Sequence, residues 1–317
     1  MALALSVLML GCGGREDVSV QSPPDVGAVI KGVDNPFFVA LRDGMREAAA
    51  RDDIALDVRE AADLQDTTGQ ALAVKGLEGS DCYIVNPINR TNLIESLADV
   101  ASGKPVVAVD SPLDRAAAED AGVDLRTYVG TDNVAAGRLA AEALAKDLPR
   151  DAMVATVKGI PEDAGSEARE RGFLDGARGR LRVVARVNAD FDERQAQRAV
   201  AEILAAEPRL RGVFAVNDDM ALGAARAARG RGRVDVIGVD GTNRALRAIR
   251  RGELTGTVAQ FPSLIGQLGV EACVASIEGR DLPARVDAPI ELVTRANVDE
   301  ALRSRPLPGG GYESPLD

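Results

Sequence analysis

The sequence predicts an α/β fold arranged in two domains. From Asp25 onward, short runs of β-branched residues alternate with Ala-rich amphipathic stretches. Apolar strands that are each followed by a helix are typical of parallel sheets covered on both faces. The chain has 317 residues, of which 46% are hydrophobic. That length exceeds what one compact domain usually holds, so two domains are expected.

Eight apolar runs are strand candidates, and Ala-rich helical stretches lie between them. The strands are VGAVI (26–30), IALDV (54–58), CYIVN (82–86), PVVAV (105–109), MVATV (153–157), GVFAV (212–216), DVIGV (235–239) and TGTVA (255–259). The helices include FVALRDGMREAAARD, NVAAGRLAAEALAKD and SLIGQLGVEACVASIEG. A faint repeat, LRDGM (41–45) and FLDGA (173–177), places a similar helix end before a strand in each half. It favours two similar α/β halves.

The composition excludes several classes of protein. The formal net charge is −11, which disfavours nonspecific binding to nucleic acid because that needs a basic surface. There is no histidine, which removes Ser-His-Asp and Cys-His nucleophile systems and His-ligated zinc. The three cysteines form no CxxC pair, which argues against a zinc ribbon or a redox dithiol. We therefore expect no metal and no cofactor.

The N-terminus is typical of an exported protein. Residues 1–12 form an apolar run that is too short to span a bilayer, and it resembles a lipoprotein signal in which Cys12 is lipidated. Met9-Leu10 and the lack of a preceding Lys or Arg depart from that pattern, so a plain secretory signal or a ragged cytosolic terminus stays open. Residues 13–24 predict a flexible tether and residues 304–317 a disordered tail.

Export has a consequence for the other two cysteines. In an oxidising compartment Cys82 and Cys273 could form a disulfide. Both lie in apolar segments, so two buried free thiols are the expectation. The expected location is the periplasm or the cell surface, with membrane contact only through the lipid anchor.

Polar side chains follow the predicted strands. Ligands of open α/β sheets bind beyond the carboxyl ends of the strands. The residues found there are Lys31, Asn35, Asp110, Ser111, Asn217, Asp240 and Gln260. Taken singly, such residues more often cap helices or close turns, and an arginine such as Arg171 more often lies on a solvated helix face.

The scarce aromatic residues favour a sugar site over simple caps. Only 3% of the chain is aromatic, yet Phe37 and Phe38 follow Asn35-Pro36, and Phe191 lies between two aspartates. Carboxylates and amides bind vicinal hydroxyls, while flat rings cover the apolar faces of a sugar. The combination predicts a carbohydrate-binding cleft.

No enzyme motif accompanies these residues. The chain has no GxGxxG after its first strand, no GxxxxGK[ST] phosphate loop and no GxSxG elbow. Asp110 and Asp240 could form an acid/base pair for glycoside cleavage. With no other support for that chemistry, we expect a binding protein and not an enzyme.

Nine motifs in register carry a resemblance to a known family. They are DNPFFVALRDGM, VNPINR, KPVVAVD, TDNVAAG, SEARERGF, ADFDE, VFAVNDDMALGA, VIGVDGT and TVAQFP. Together they resemble the ribose-binding group of type I periplasmic solute-binding proteins, from about Asp25 to Arg295. The resemblance implies two Rossmann-like lobes, joined by three crossover strands, with the ligand held between them. The implied lobes are residues 25–130 plus 261–288, and residues 131–260 plus 289–303.

The resemblance also implies a set of ligand contacts. The first lobe would contribute Asn35, Phe37, Phe38 and Asp110; the second lobe and its crossover would contribute Arg171, Phe191, Asn217, Asp240 and Gln260. Three positions depart from the ribose-binding pattern: Lys31 replaces a serine, Ser111 an arginine and Val239 a phenylalanine. A site built around one hydroxyl pattern rejects sugars that leave its polar groups unpaired. The ligand class therefore transfers, but ribose itself does not.

The expected function is capture of a monosaccharide or related polyol by hinge closure, and its delivery to an ABC transporter permease. A monomer is expected, because closure needs free lobes. A sugar-sensing accessory protein for chemotaxis would share the same binding chemistry and stays open. A regulator of the lactose-repressor type would need a DNA-binding headpiece of about sixty residues, whereas 24 residues precede the body. A carbohydrate-active enzyme is the remote alternative.

Overall fold

The computed structural model describes residues 22–32, 35–304, 312 and 314–316. The strands are β1 (Asp25–Ile30), β2 (Ala55–Glu60), β3 (Cys82–Val85), β4 (Pro105–Val109), β5 (Asp124–Thr131), β6 (Ala152–Lys158), β7 (Leu181–Asn188), β8 (Gly212–Ala215), β9 (Asp235–Asp240), β10 (Gly256–Ala259), β11 (Arg285–Ala288) and β12 (Glu291–Thr294). All eight predicted strands are confirmed, with ends that differ by at most two residues.

Helices alternate with the strands along the chain. They are α1 (Pro36–Arg51), α2 (Thr67–Lys75), α3 (Ile94–Val100), α4 (Arg115–Asp120), α5 (Asn133–Asp147), α6 (Ala164–Ala177), α7 (Glu193–Ala206), α8 (Asp218–Ala228), α9 (Asn243–Arg251), α10 (Pro262–Ile277) and α11 (Val298–Ser304). Side-chain caps begin most of them: Asn35, Asp132 and Asp163 accept hydrogen bonds from the first turns of α1, α5 and α6. The predicted α/β class is confirmed.

The strands form two six-stranded sheets of matching topology. The first has the order β2-β1-β3-β4-β5-β11 and the second β7-β6-β8-β9-β10-β12. The outermost strand differs, because β11 runs parallel to β5 whereas β12 runs antiparallel to β10. The repeated segments LRDGM and FLDGA lie on α1 and α6, which occupy the same position in the two halves. The repeat therefore reflects two similar α/β units.

The chain passes between the two sheets three times, which confirms the predicted crossovers. It leaves the first sheet after β5, returns after β10 and leaves again between β11 and β12. Helix α10 packs against α1, β3 and β4, so it belongs with the first sheet although it follows β10. We call the first sheet with α1–α4 and α10 the first lobe, and the second sheet with the remaining helices the second lobe.

Glycines allow one close helix pair in each lobe. A Cβ on Gly44 of α1 would lie 2.0 Å from the carbonyl oxygen of Ser263 in α10. A Cβ on Gly172 of α6 would lie 2.0 Å from the carbonyl oxygen of Val134 in α5. Real Cβ atoms cannot approach an oxygen so closely, so each helix pair depends on glycine. These contacts hold α1 against α10 in the first lobe and α5 against α6 in the second.

A disulfide joins β3 to α10, and this corrects the expectation of free thiols. Cys82 and Cys273 are both buried, with Cα atoms 5.8 Å apart, well within the range for a disulfide. The two residues are 191 positions apart in sequence. They meet because α10 returns to the first lobe after the second crossover, which composition alone does not reveal. The disulfide fits an oxidising compartment.

Part of the C-terminal tail differs from the predicted disorder. Leu316 is buried in the apolar core of the first lobe, and Tyr312 packs against the same core. The guanidinium of Arg280 donates to the Leu316 carbonyl, and the Ser314 hydroxyl donates to Glu271 of α10. These apolar and polar contacts together hold the described tail residues on the first lobe.

The predicted lipidation site Cys12 and residues 13–21 of the predicted tether lie outside the described residues. Among the residues that the structure does describe, no helix has the length and apolar character needed to cross a membrane.

Candidate functional site

A cavity of about 270 Å³ lies between the lobes, at the carboxyl ends of both sets of strands. This is just below the range of sites for drug-sized molecules, about 300–1,000 Å³. The parallel strands bring the segments after β1, β2, β3 and β4 to one wall and those after β6, β7, β8 and β9 to the other. Each wall therefore carries residues that were far apart in the sequence.

The polar wall of the first lobe is a connected network. The Lys31 ammonium donates to the Ser111 hydroxyl at 2.8 Å and lies 5.7 Å from the centre of the Phe38 ring. The buried amide of Asn86 donates to Asp110 at 3.0 Å and to the Val109 carbonyl at 3.1 Å. These bonds fix the Asp110 carboxylate at the end of β4 and hold a cation beside it.

Asp110 is a partly buried carboxylate with an unusual backbone conformation. Its φ of 58° lies in the left-handed region, and the Tyr128 hydroxyl donates to its carbonyl at 2.8 Å. Burial raises the pKa of Asp110 above its ordinary value, although the positive charges of Lys31 and Arg169 oppose the rise. Non-glycine residues in this region are uncommon and cluster at ligand sites.

Aromatic rings come from both lobes. Phe37 and Phe38, at the start of α1, pack edge to face with centroids 5.3 Å apart. Phe191 faces the cavity from the loop after β7, with a φ of 60°. A Cβ on Gly159 would lie 2.1 Å from the Phe191 ring, so only glycine admits the ring in this place. The three rings give the cavity apolar surfaces beside its carboxylates.

The second lobe supplies a second carboxylate with a cation. The Asp240 carboxylate accepts from the Gln260 amide at 2.7 Å and lies 3.5 Å from the Arg169 guanidinium. Arg169 also donates to the Val216 carbonyl and to the Asn133 amide oxygen, both at 2.7 Å. These bonds lock the guanidinium in one orientation at the wall of the cavity.

Asp240, like Asp110, combines a positive φ with a raised pKa. Its φ is 120°, and burial raises its pKa, while Arg169 and the Gln260 amide oppose the rise. Asn217 lies beside it, and its side-chain oxygen caps α8 by accepting from the Met220 amide at 3.0 Å. Asn217 itself is among the residues that line the cavity.

The structure brings most of the sequence-predicted residues to this one cavity. Those that line it are Lys31, Asn35, Phe37, Phe38, Asp110, Ser111, Phe191, Asn217 and Asp240. Gln260 lies behind the wall, where it binds Asp240. The position of these side chains fits a ligand site, and their role in binding stays a proposal.

Two of the predicted residues lie elsewhere. Arg171 is on the exposed face of α6, and Arg169 of the same motif enters the cavity in its place. Two residues span about 200° of a helix, so the two arginines lie on opposite faces. Val239 is fully buried in the core of the second lobe and does not line the cavity. It precedes Asp240 in β9, and successive strand residues point to opposite faces.

Several residues of the cavity were missed by the sequence analysis. They are Leu64, Gln65, Thr67, Ile88, Asn89, Asn133, Ile160, Pro161, Glu162, Asp163, Gly165 and Arg169. Asn89, Asn133 and Arg169 lie inside motifs that carried the resemblance, so that signal was present. The loop after β2, which holds Gln65, has no local pattern that distinguishes it from a surface turn.

The chain matches the periplasmic binding protein domain family over residues 26–281, and it belongs to that family. This is a family of binding proteins. The chain is 33% identical to the ribose import binding protein of Bacillus subtilis over 274 residues, which covers 85% of this chain and 87% of that protein.

Two solved structures show the same fold. One is a periplasmic solute-binding protein of an ABC transporter from Actinobacillus succinogenes with bound D-allose: its TM-score is 0.80 at 29% identity, with 87% of this chain and 99% of that chain covered. The other is an ABC transporter solute-binding protein from Bacillus halodurans with bound myo-inositol. Its TM-score is 0.78 at 28% identity, with 90% of this chain and 99% of that chain covered.

Proposed function

We propose that this protein is an extracytoplasmic substrate-binding protein that captures a monosaccharide or related polyol and delivers it to an ABC transporter permease. The observation that carries the proposal is the pairing of two half-sites in one cavity. Asp110 with Lys31 comes from the first lobe, and Asp240 with Arg169 from the second. Solute-binding relatives with bound D-allose and myo-inositol support the ligand class.

The proposed mechanism is hinge closure. The chain connects the lobes only through its three crossings among the described residues, so the lobes can rotate with little change in either core. A ligand that bonds to both half-sites favours the closed state through contacts that the open state lacks. Carboxylates would accept from hydroxyls, Arg169 and Asn217 would donate, and the three phenylalanines would cover the apolar faces of the ring.

The lipid anchor is part of the same proposal. Lipidation of Cys12 would hold the body near the membrane while residues 13–24 let it move. Mass spectrometry of the membrane-extracted protein, with C12S as the comparison, tests this. A mature N-terminus at Cys12 carrying acyl chains supports the anchor. An unmodified Cys12, or membrane retention of C12S, contradicts it.

A thermal-shift screen of the purified protein tests the ligand class. The panel contains pentoses, hexoses, polyols and nucleosides, with D-ribose, D-allose and myo-inositol among them. A ligand at a hundred times its Kd should stabilise the folded state by about 2.7 kcal/mol. Stabilisation by a sugar or polyol, and its loss in D240A, supports the proposal. No shift across the panel contradicts it.

A further inference from the structure

Asp218 is a buried carboxylate that does not line the cavity. It is the first residue of α8 and has no exposed surface. Its two oxygens accept from the Thr257 hydroxyl and from the Thr242 backbone N–H, both at 2.6 Å. Removing a carboxylate from water is costly. The two bonds recover part of that cost, but a neutral side chain would avoid it altogether.

The partners of Asp218 control the turn that follows Asp240. Thr257, in the neighbouring strand β10, donates to Asp218 and accepts from the Gly241 N–H at 3.2 Å. Thr242, which caps α9, donates its own N–H to Asp218. Asp218 therefore holds Thr242 directly and holds Gly241 through the Thr257 hydroxyl.

This turn gives Asp240 its unusual backbone. The φ of Asp240 is 120°, in a region that L-residues rarely adopt, and the φ of Gly241 is 71°. Such a conformation persists only where the surroundings determine it. Gly238 leaves room for the Asp218 carboxylate, because a Cβ on Gly238 would lie 2.5 Å from an Asp218 oxygen.

We propose that Asp218 is a positioning residue for ligand binding: it holds the turn after β9 so that Asp240 faces the cavity before the ligand arrives. This inference rests on the proposed function, because it assigns Asp240 a role in binding. It gives the buried carboxylate a function beyond stability. A site held ready in this way avoids the entropy of ordering its groups on binding.

The other end of the same strand offers a matched control. Asp235, also buried, begins β9, and it accepts from the Thr255 hydroxyl at 3.3 Å. Thr255 in turn accepts from the Val236 N–H at 3.0 Å. Asp235 and Thr255 thus form a similar carboxylate–threonine pair at the end of the sheet away from the cavity, and Arg233 adds an ion pair to Asp235 at 3.1 Å.

The experiment compares the two ends of β9 in the full chain. The variants D218A, D218N and T257V are matched by D235A, D235N and T255V. Calorimetric titration gives Kd for D-ribose, D-allose and myo-inositol, and thermal unfolding gives Tm. We expect both series to lower Tm. Only the Asp218 series should weaken binding, by about tenfold or more in D218A, with a smaller loss in D218N, which keeps one acceptor oxygen.

Two results would overturn the proposal. One is a Kd within about twofold of the unmodified protein in both D218A and T257V, the size of an ordinary surface effect. The other is an equal loss of affinity in D235A and T255V, which would show general destabilisation. If D218A does not fold, D218N and T257V carry the same comparison.

A crystal structure of D218N/T257V separates this proposal from the proposed function. We expect Asp240 to leave its positive φ and to turn from the cavity. A turn unchanged in that structure overturns the positioning role, even if sugars bind. If no sugar in the panel binds the unmodified protein, the proposed function fails, and the position of Asp240 in the variant still decides the role of Asp218.

Discussion

Lys31 and Ser111, two of the three positions that depart from the ribose-binding pattern, are hydrogen-bonded to each other at 2.8 Å. They follow β1 and β4, on either side of β3. The lysine thus brings a cation to the end of the cavity where Ser111 replaces an arginine. The two departures form one local exchange of hydrogen-bonding groups around Asp110, and we expect this exchange to affect which sugar is accepted.

Substituting Lys31 should weaken ligand binding. K31M keeps the side-chain length but removes the ammonium that donates to Ser111 and opposes the pKa rise of Asp110. Hydrogen bonds to charged groups contribute about 1.5–3 kcal/mol, so Kd should rise by about tenfold or more. Calorimetric titration measures this, with K75M, an exposed lysine on α2, as the control. An equal Kd in K31M and K75M would remove Lys31 from the site.

Arg169 and Arg171 make a second matched pair. R169A removes the guanidinium that contacts Asp240, Asn133 and the Val216 carbonyl, so it should weaken binding by about a hundredfold and lower Tm. R171A should change Kd by no more than about twofold, because its side chain lies on the exposed face of α6. Loss of binding in R171A alone would reverse the assignment.

Ligand affinity should fall as the solution becomes mildly acidic. Burial raises the pKa of both Asp110 and Asp240, so each takes up a proton at a higher pH than an exposed aspartate does. A protonated carboxyl accepts hydroxyl donors less well. We expect Kd to rise between about pH 7.5 and 5, and the dependence to be weaker in D240N. A Kd that is constant over this range, or that falls, contradicts the ligand role of the carboxylates.

Asp110 and Asp240 also make the stability of the ligand-free protein depend on pH, in the direction opposite to ligand affinity: their contribution to stability falls as the pH rises. A carboxyl whose pKa is raised by folding binds its proton more tightly in the folded state than in the unfolded state. Its contribution is therefore fully present below the unfolded pKa and is lost as the pH rises through the folded pKa. In the ligand-free protein, D110N and D240N should thus gain Tm relative to the unmodified protein at neutral pH. The gain should shrink at low pH.

Removing the Cys82–Cys273 disulfide should destabilise the protein without changing ligand affinity. The bond closes a loop of 191 residues, for which the chain-entropy model gives about 5 kcal/mol. Urea unfolding of C82A/C273A, compared with the oxidised protein, measures the loss. Neither cysteine lines the cavity, so Kd should stay within about twofold. A loss of binding in a variant that remains folded would show that the bond also shapes the site.

The strands of the sheets were predicted well because a strand buried in a parallel sheet is a short, continuous run of apolar residues. PVVAV is apolar at every position and coincides with β4, and Asp110 directly after it falls at the carboxyl end as expected. The position of such a residue follows from the strand that precedes it and from the direction of that strand. Length and a five-residue repeat favoured two similar halves, which the matching strand orders explain, whereas the two lobes with their crossovers were implied by the resemblance.

The predictions differ from the structure where the position of a residue depends on the rotational phase of a helix or on a distant part of the chain. Choosing Arg169 over Arg171 for the cavity needed the rotational phase of α6, which a motif does not state. Pairing Cys82 with Cys273 needed the return of α10 to the first lobe. Asp218 is the first residue of α8, directly after the cap Asn217, and only its contacts with Thr242 and Thr257 distinguish it from an ordinary acidic residue at a helix start.

The central claim is that one sugar or polyol binds between two half-sites, one from each lobe. Calorimetric titration of the unmodified protein, D110A and D240A with the best ligand of the panel tests it most directly. We expect one site per chain with a Kd of about micromolar or tighter, and a loss of about a hundredfold in each variant. Binding that survives the loss of either carboxylate, or no binding of any sugar or polyol, would contradict the account.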